Sequence, residues 1–503
     1  MNIRIPALIT LFFIATTPPA ARADPVGFGE PVVTTGQQVK VNGNTLRYLA
    51  ETGRIAIRNV ETGEPHGYMF YIAYRLETTG RPRPLAFVWN GGPGSNSALL
   101  HFEAAGPRRI QDRRLVDNQE TWLTVTDLVF VDPIGTGFSR PVKAEYAEEF
   151  YGTAGDVASV TEFVRAWRLL HAAEAAPILL AGESWGAGRA GSVGYALVKR
   201  GIPVRALVLI SGGAGLNSET GSPVLNGALQ TVDRSATALY HHRLPDDLGH
   251  SAGEIRSFTE RWVRQVYAPA LERKDLLSAR ERSAVIDGLS RFTGMPSELI
   301  DRDTLVVTPR AYREGLLFAS GKVLDVFDMR LLRRNETESP AEAEHDRRQI
   351  ITSYLRQELG YGTDLPYVGT ESLEQGYAPG GVYPQSVNAR WNYATAEVTP
   401  EEREAAFQAA VQHGGGPPRL GPPLPSAAEA VMLDPRLRVL VAAGRYDSLN
   451  SCAANEETAR RLEGDLKNAY RFECYEGGHM MYHDSAARQS LARDIRALAA
   501  SIQ

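Results

Sequence analysis

Residues 178–186 read Ile-Leu-Leu-Ala-Gly-Glu-Ser-Trp-Gly, and the residues after them (Ala187 to Arg200) carry a helical apolar pattern. A short, unbroken apolar run is what a strand buried on both faces looks like. The Gly-x-Ser-x-Gly pentapeptide alone is a weak signal, and its place between strand and helix gives it meaning. Small residues flanking Ser184 permit a sharp turn that exposes its hydroxyl, while the helix that follows directs its positive end at the same point.

The same grammar recurs on both sides of this stretch. Leu85 to Trp89 precedes Gly91-Gly92, Leu128 to Val131 precedes Gly135, and Ala206 to Ile210 precedes Gly212-Gly213. Far downstream, Arg438 to Ala442 precedes Gly444, and another short strand is expected to end near Tyr475. With a helical pattern over Asp156 to Leu170, this spells a mostly parallel sheet covered by helices. Ligands in such sheets collect at the carboxyl ends of the strands, where the glycine turns lie. Upstream, Gln38 to Tyr48 reads as a hairpin turning at Asn42-Gly43, and Gly67 to Leu76 as a further strand.

Residues 216–425 break the pattern. They are mostly helical and polar, with a charged stretch from Arg333 to Arg348 that is expected to be exposed and a Gly/Pro-rich tail from Gly414 to Pro425. The segment reads as an insertion lying over the strand ends, with an independent second domain as the alternative. The expected organisation is a leader at 1–23, a first core part at 24–215, the insertion at 216–425 and a second core part at 426–503.

The chain has 503 residues, 54 basic against 59 acidic, and a net charge of −5, so no basic surface argues for nucleic acid. Hydrophobic residues at 43% and aromatics at 8%, with no period in Gly or Pro, exclude disordered and fibrous classes. Arg4, the apolar run Ala7 to Ala15 and Ala21-Arg22-Ala23 read as a secretory signal with its cleavage site, and an uncleaved anchor is the alternative. The run is about half of the ~20 residues a membrane span needs. Export to a periplasmic or extracellular space, with no stable membrane insertion afterwards, is the expectation. There Cys452 and Cys474, the only cysteines, are free to pair, adding roughly 3 kcal/mol by loop closure; two separate buried thiols are the alternative.

A serine hydroxyl needs a base within hydrogen-bond reach, itself oriented by a carboxylate. Behind an elbow of this kind the acid and then the base follow the serine in sequence. Asp447 and His479 stand in turns after the last two strands, with Asp434 and His483 as rivals. In the first loop, Asn90-Gly91-Gly92-Pro93-Gly94, glycines let backbone N–H groups point at a developing oxyanion. Gly92 and Trp185 are the natural donors. The sequence has no Gly-rich phosphate loop, HExxH or other metal cluster, so neither cofactor nor metal is expected.

These blocks resemble the serine carboxypeptidase family. The resemblance rests on WNGGPG (Trp89 to Gly94), FEAAGP (Phe102 to Pro107), VFVDPIGTGFS (Val129 to Ser139), GESWG (Gly182 to Gly186), Asp447 and GGHM (Gly477 to Met480), in the family's order. It covers about residues 85–213 and 437–483 and implies an α/β-hydrolase fold with a largely helical lid. It also implies a Ser184–Asp447–His479 triad that removes C-terminal residues from peptides or proteins. In the family the substrate's terminal carboxylate is held by residues that map to Asn90, Gly91, Glu103 and Glu183. Two acids can hold an acid only when protonated, so both glutamates are expected to be neutral and binding to be favoured at acidic pH.

The departures are Ser95-Asn96-Ser97, where the family has two serines, and Trp185-Gly186, where it has tyrosine and alanine. The SWG triplet is similar to proline iminopeptidases. An aminopeptidase, esterase or acyltransferase on the same triad, and a binding protein without turnover, remain as alternatives. The preferred side chains and the oligomeric state have no signal in the sequence.

Overall fold

The structure, a computed structural model, describes residues 32–77, 82–216, 222–249, 251–333, 340–369, 387–406 except 389, 397 and 403, and 420–502. The leader expected at 1–23 and the part of the Gly/Pro-rich tail at 414–419 lie outside the described residues.

Strands β1 (Val33–Val41) and β2 (Asn44–Arg58) form an antiparallel hairpin. Its turn residues Asn42 and Gly43 have φ of 49° and 82°, the left-handed values a two-residue turn demands. Strand β3 (Pro65–Leu76) pairs antiparallel with β2. Strand β4 (Leu85–Trp89) opens a second set, which continues after a small separate hairpin of β5 (Arg108–Gln111) and β6 (Arg114–Asp117). There follow β7 (Asp127–Val131), a short β8 (Arg140–Pro141) on β3, β9 (Ile178–Glu183), β10 (Val204–Ile210), β11 (Arg438–Gly444) and β12 (Tyr470–Tyr475).

The spatial order is β1-β2-β3-β7-β4-β9-β10-β11-β12. From β7 to β12 every neighbouring pair is parallel. Parallel strands need crossovers, and the helices Thr153–Leu170 and Trp185–Lys199 supply two of them. This mixed sheet with flanking helices is the α/β-hydrolase fold.

Strand β9 shows why its apolar run has no alternation. Ile178 and Leu180 enter one core with Phe163, Trp167 and Val193. Leu179 and Ala181 enter the other with Phe102, Leu491 and Ile495. Both faces are therefore dry, and truncating Leu180 to Ala should cost about 2–5 kcal/mol.

Between β10 and β11 the described residues include the helices Pro223–Tyr240, Ala252–Trp262, Ala279–Thr293 and Pro340–Ser353. Leu229, Val232, Val263, Ile286, Leu289 and Tyr312 build a third apolar cluster there. Helix Ala279–Thr293 is fixed at both ends. Ser278 and Glu281 cap its start reciprocally, and Gly294, at φ 71°, ends it. One expectation is corrected in this region. The charged stretch ending at Arg348 is not simply solvent-facing, because Arg347 is partly buried and reaches Glu103.

Candidate active site

Ser184 sits between β9 and helix Trp185–Lys199 at φ 57° and ψ −125°, a conformation L-residues rarely hold. Its N–H donates to the carbonyl of Ile210, the last residue of β10, at 2.8 Å. A side chain at 182 would meet the carbonyl oxygen of Gly186 at 1.9 Å, so only glycine lets the chain fold back this sharply. Trp89 Nε1 then donates to that same oxygen at 2.9 Å and ties the first loop to the elbow.

Asp447 and His479 follow the two neighbouring strands β11 and β12 in turns at their carboxyl ends. His479 Nδ1 lies 2.7 Å from Asp447 Oδ2, and both side chains are buried. Asp447 also accepts from Leu449 N and from Asn450 Nδ2, each at 2.8 Å, which fixes its plane. Burial opposes the imidazolium, but Asp447 and the charge of Glu183 outweigh it, so His479 titrates above the usual histidine value.

The rivals are occupied elsewhere. Asp434 pairs with Arg205 at 3.0 Å and Arg436 at 2.8 Å, and His483 pairs with Glu103. Cys452 and Cys474 form a disulfide, joining the helix that begins just after the Asp447 turn to the strand that leads to His479.

Ser184 and His479 are linked through the end of β10. Ser211 Oγ donates to His479 O at 2.6 Å, and Gly212 lies so close to the elbow that a Cβ there would be 2.3 Å from Ser184 O. Among the described residues no hydrogen bond joins the Ser184 hydroxyl to His479. Such bonds are often long in unliganded enzymes and tighten with substrate.

The first loop presses on the elbow. A Cβ at Gly91 would come within 2.5 Å of Glu183 O, 2.6 Å of Trp185 N and 2.9 Å of Ser184 Cβ. Trp185 opens its helix, so its N–H is one of the four left without an intrahelical acceptor. Gly92, the residue after Gly91 in the loop, has φ 101°. The Trp185 ring turns aside, edge-on to Trp391 at 5.8 Å and Tyr393 at 5.6 Å.

The two glutamates differ. Glu183 is buried and accepts from Asn90 Nδ2 at 2.8 Å and Tyr482 Oη at 2.5 Å. Burial pushes its carboxyl up, against the pull of His479, Tyr482, His483 and Asn90. The Tyr482 hydroxyl can donate to the ionised form or accept from the protonated one. Glu103 is ion-paired with Arg347 at 3.0 Å and with His483. Burial would raise it too, but His483, Arg347 and Arg109 hold it below the usual glutamate value. The expectation of two neutral acids is thus corrected at Glu103, because a paired cation stabilises its charged form.

Sequence reasoning did not single out Asn450, Ser211, Tyr482, Phe327 or Arg347. Asn450 and Tyr482 each lie three residues past a site residue, which is the one local signal available. Phe327 comes from the segment between β10 and β11. Its carbonyl accepts from His479 N at 2.6 Å, and its ring lies 5.4 Å from the imidazole. Nothing in the sequence around 327 or 347 marks them.

Comparison with known proteins matches residues 56–198 to the serine carboxypeptidase family. The pheromone-processing carboxypeptidase KEX1 of Arthroderma otae is 33% identical over 147 residues, 28% of this chain and 22% of that protein. Serine carboxypeptidase-like 51 of Arabidopsis thaliana is 35% identical over 106 residues, 20% of this chain and 22% of that protein. The alignments thus span about a fifth of the length of these curated relatives. In fold, the chain is similar to the crystal structure of KEX1ΔP, a prohormone-processing carboxypeptidase from Saccharomyces cerevisiae. The TM-score is 0.50 at 14% identity, over 89% of this chain and 91% of that one. The elbow and the first loop both lie within the matched block, which is similar to the serine carboxypeptidase family.

Proposed function

We propose that this chain is an exported serine carboxypeptidase that hydrolyses the last peptide bond of peptides or proteins. Ser184 Oγ attacks the scissile carbonyl while its proton passes to His479 Nε2, the nitrogen that Asp447 leaves free. The oxyanion takes the N–H groups of Gly92 and Trp185. His479 returns the proton to the leaving amine as the C–N bond breaks, and water repeats the sequence on the acyl-enzyme. Asn90, Gly91 and Glu183 receive the terminal carboxylate, with Glu103 acting through its cation partners. The segment 216–425 serves as a lid over the strand ends.

The observation that carries this reading is Glu183, a buried acid adjoining Ser184 and held by Asn90 and Tyr482. A simple esterase has no use for an acid there; an enzyme that must choose a free carboxylate has. The word carboxypeptidase in the names of both relatives supports the same reading.

The test compares a blocked dipeptide bearing a free carboxylate with its amide. A strong preference for the free acid, lost along with fluorophosphonate labelling in Ser184→Ala, is expected. Equal rates on acid and amide would remove the exopeptidase reading and leave a hydrolase of another kind. An unlabelled wild type would argue for a binding protein.

A further inference from the structure

Arg189 and Asp156 form an ion pair inside the protein. Arg189 Nε lies 2.6 Å from Asp156 Oδ2, and the two side chains are 1% and 3% exposed. Asp156 stands in the first turn of helix Thr153–Leu170, where the positive end of the helix favours a carboxylate. A pair this dry is a weak device for stability, because apolar side chains of similar volume would serve the fold as well. What the two side chains touch gives the charge a purpose.

Arg189 lies one turn past Trp185 on the same face of helix Trp185–Lys199. Its Nη1 donates to the backbone carbonyl of Asn90 at 2.8 Å. The approach depends on Gly186, since a Cβ there would fall 2.6 Å from Asn90 O. A peptide unit is planar and trans, so fixing the Asn90 carbonyl fixes the Gly91 N–H opposite it and aims the chain that runs on to Gly92. Asp156 reaches the other wall. Burial pushes its carboxyl up, while Arg189 and a hydrogen bond from the Trp185 side chain pull it down.

We propose that the buried Asp156–Arg189 pair is a clamp that sets the spacing of the oxyanion hole, holding the first loop through Asn90 and the elbow through Trp185. Both side chains are too buried to meet a substrate, so they are positioning residues for the Gly92 and Trp185 N–H donors. The proposal rests on Ser184 as nucleophile and is indifferent to which end of a peptide is cut. A guanidinium suits the task because one rigid plane points Nε at Asp156 and Nη1 at Asn90, where lysine has a single ammonium that turns freely.

The test compares wild type with Arg189→Lys and with the double variant Asp156→Val/Arg189→Met, on a blocked dipeptide, its amide and an activated ester. The double variant removes both charges together and leaves neither unpaired, so it should fold, with urea midpoints as the check. In both variants kcat should fall at least about tenfold with KM nearly unchanged, and by a comparable factor on all three substrates, since each forms an oxyanion. A peptide boronic acid, bound as a tetrahedral adduct, should lose affinity in step with kcat/KM. Wild-type kcat in the folded double variant overturns the clamp, as does a loss confined to the free acid or to KM. If the double variant fails to fold, Arg189→Lys, which keeps a cation opposite Asp156, decides by the same readings. A wild type that fluorophosphonate leaves unlabelled removes the nucleophile and the clamp with it. A labelled wild type without preference for the free acid ends the carboxypeptidase reading alone, and the kcat of the variants still decides the clamp.

Discussion

Asp447 Oδ2 and His479 Nδ1 are 2.7 Å apart at the ends of two adjacent parallel strands, with both side chains buried. Sheet register sets this distance. Gly444 and Tyr475 are paired in register, and the two turns leave the sheet side by side.

The first expected outcome concerns this pair. In the proposed role of base His479 must be neutral, and its folded value is raised. Activity should therefore be lost as pH falls through a midpoint above the ordinary histidine range of about 6.5. Asp447→Asn should lower kcat by about 10⁴-fold and move the acid limb to lower pH. A kcat–pH profile that keeps its acid limb in the variant would show that another group controls it.

Gly91→Ala should be nearly inactive while still folding. The added methyl would fall 2.6 Å from Trp185 N and 2.5 Å from Glu183 O, so the first loop must back away from the elbow. Losing one oxyanion donor costs roughly 10²–10³ in kcat. Single-turnover acylation, with circular dichroism as the folding control, would measure it. Wild-type acylation in the variant would mean that the loop is not part of the oxyanion site.

The disulfide should matter to both stability and rate. It links Cys452, five residues past Asp447, to Cys474, five residues before His479. Replacing both cysteines by alanine should cost roughly 3 kcal/mol of unfolding free energy, read from the urea midpoint. Because the crosslink spans the two turns of the Asp–His pair, kcat should fall as well. An unchanged kcat would make the bridge a stabiliser only.

The elements nearest Ser184 were legible in sequence because each obeys a local rule. Ile178 to Ala181 is apolar throughout since helices cover both faces of β9, and Asn42-Gly43 marks a turn by its left-handed φ values. The order Ser184, Asp447, His479 could be read because strand ends carry the chemistry in this architecture. What could not be read depends on long-range packing. Glu103 meets His483 and Arg347 across the chain, and no pattern around 347 announces a partner near residue 103. That contact decides the charge of Glu103. Proton state follows three-dimensional neighbours and not residue type, which is why the expectation of two neutral acids failed at one of them.

Glu183 gives the last prediction. Its folded pKa is raised by burial, so the neutral acid persists above the usual glutamate range and ionises as pH climbs further. A raised acid stabilises the fold below its unfolded value and loses that contribution as pH rises through the folded one. Glu183→Gln keeps a neutral group that can still meet Asn90 and Tyr482. The variant should therefore become the more stable protein as pH increases, and KM for a free-carboxylate substrate should lose the rise caused by Glu183 ionisation. His483 beside it titrates above the ordinary histidine value because Glu103 outweighs its burial. The acid limb of kcat should also shift to lower pH, since the Glu183 charge is one of the influences that raise His479. Thermal melts and KM–pH curves of the two proteins, measured side by side, would read all three effects. Superimposable curves would mean that Glu183 stays neutral across the working range, so that its ionisation governs neither KM nor the acid limb.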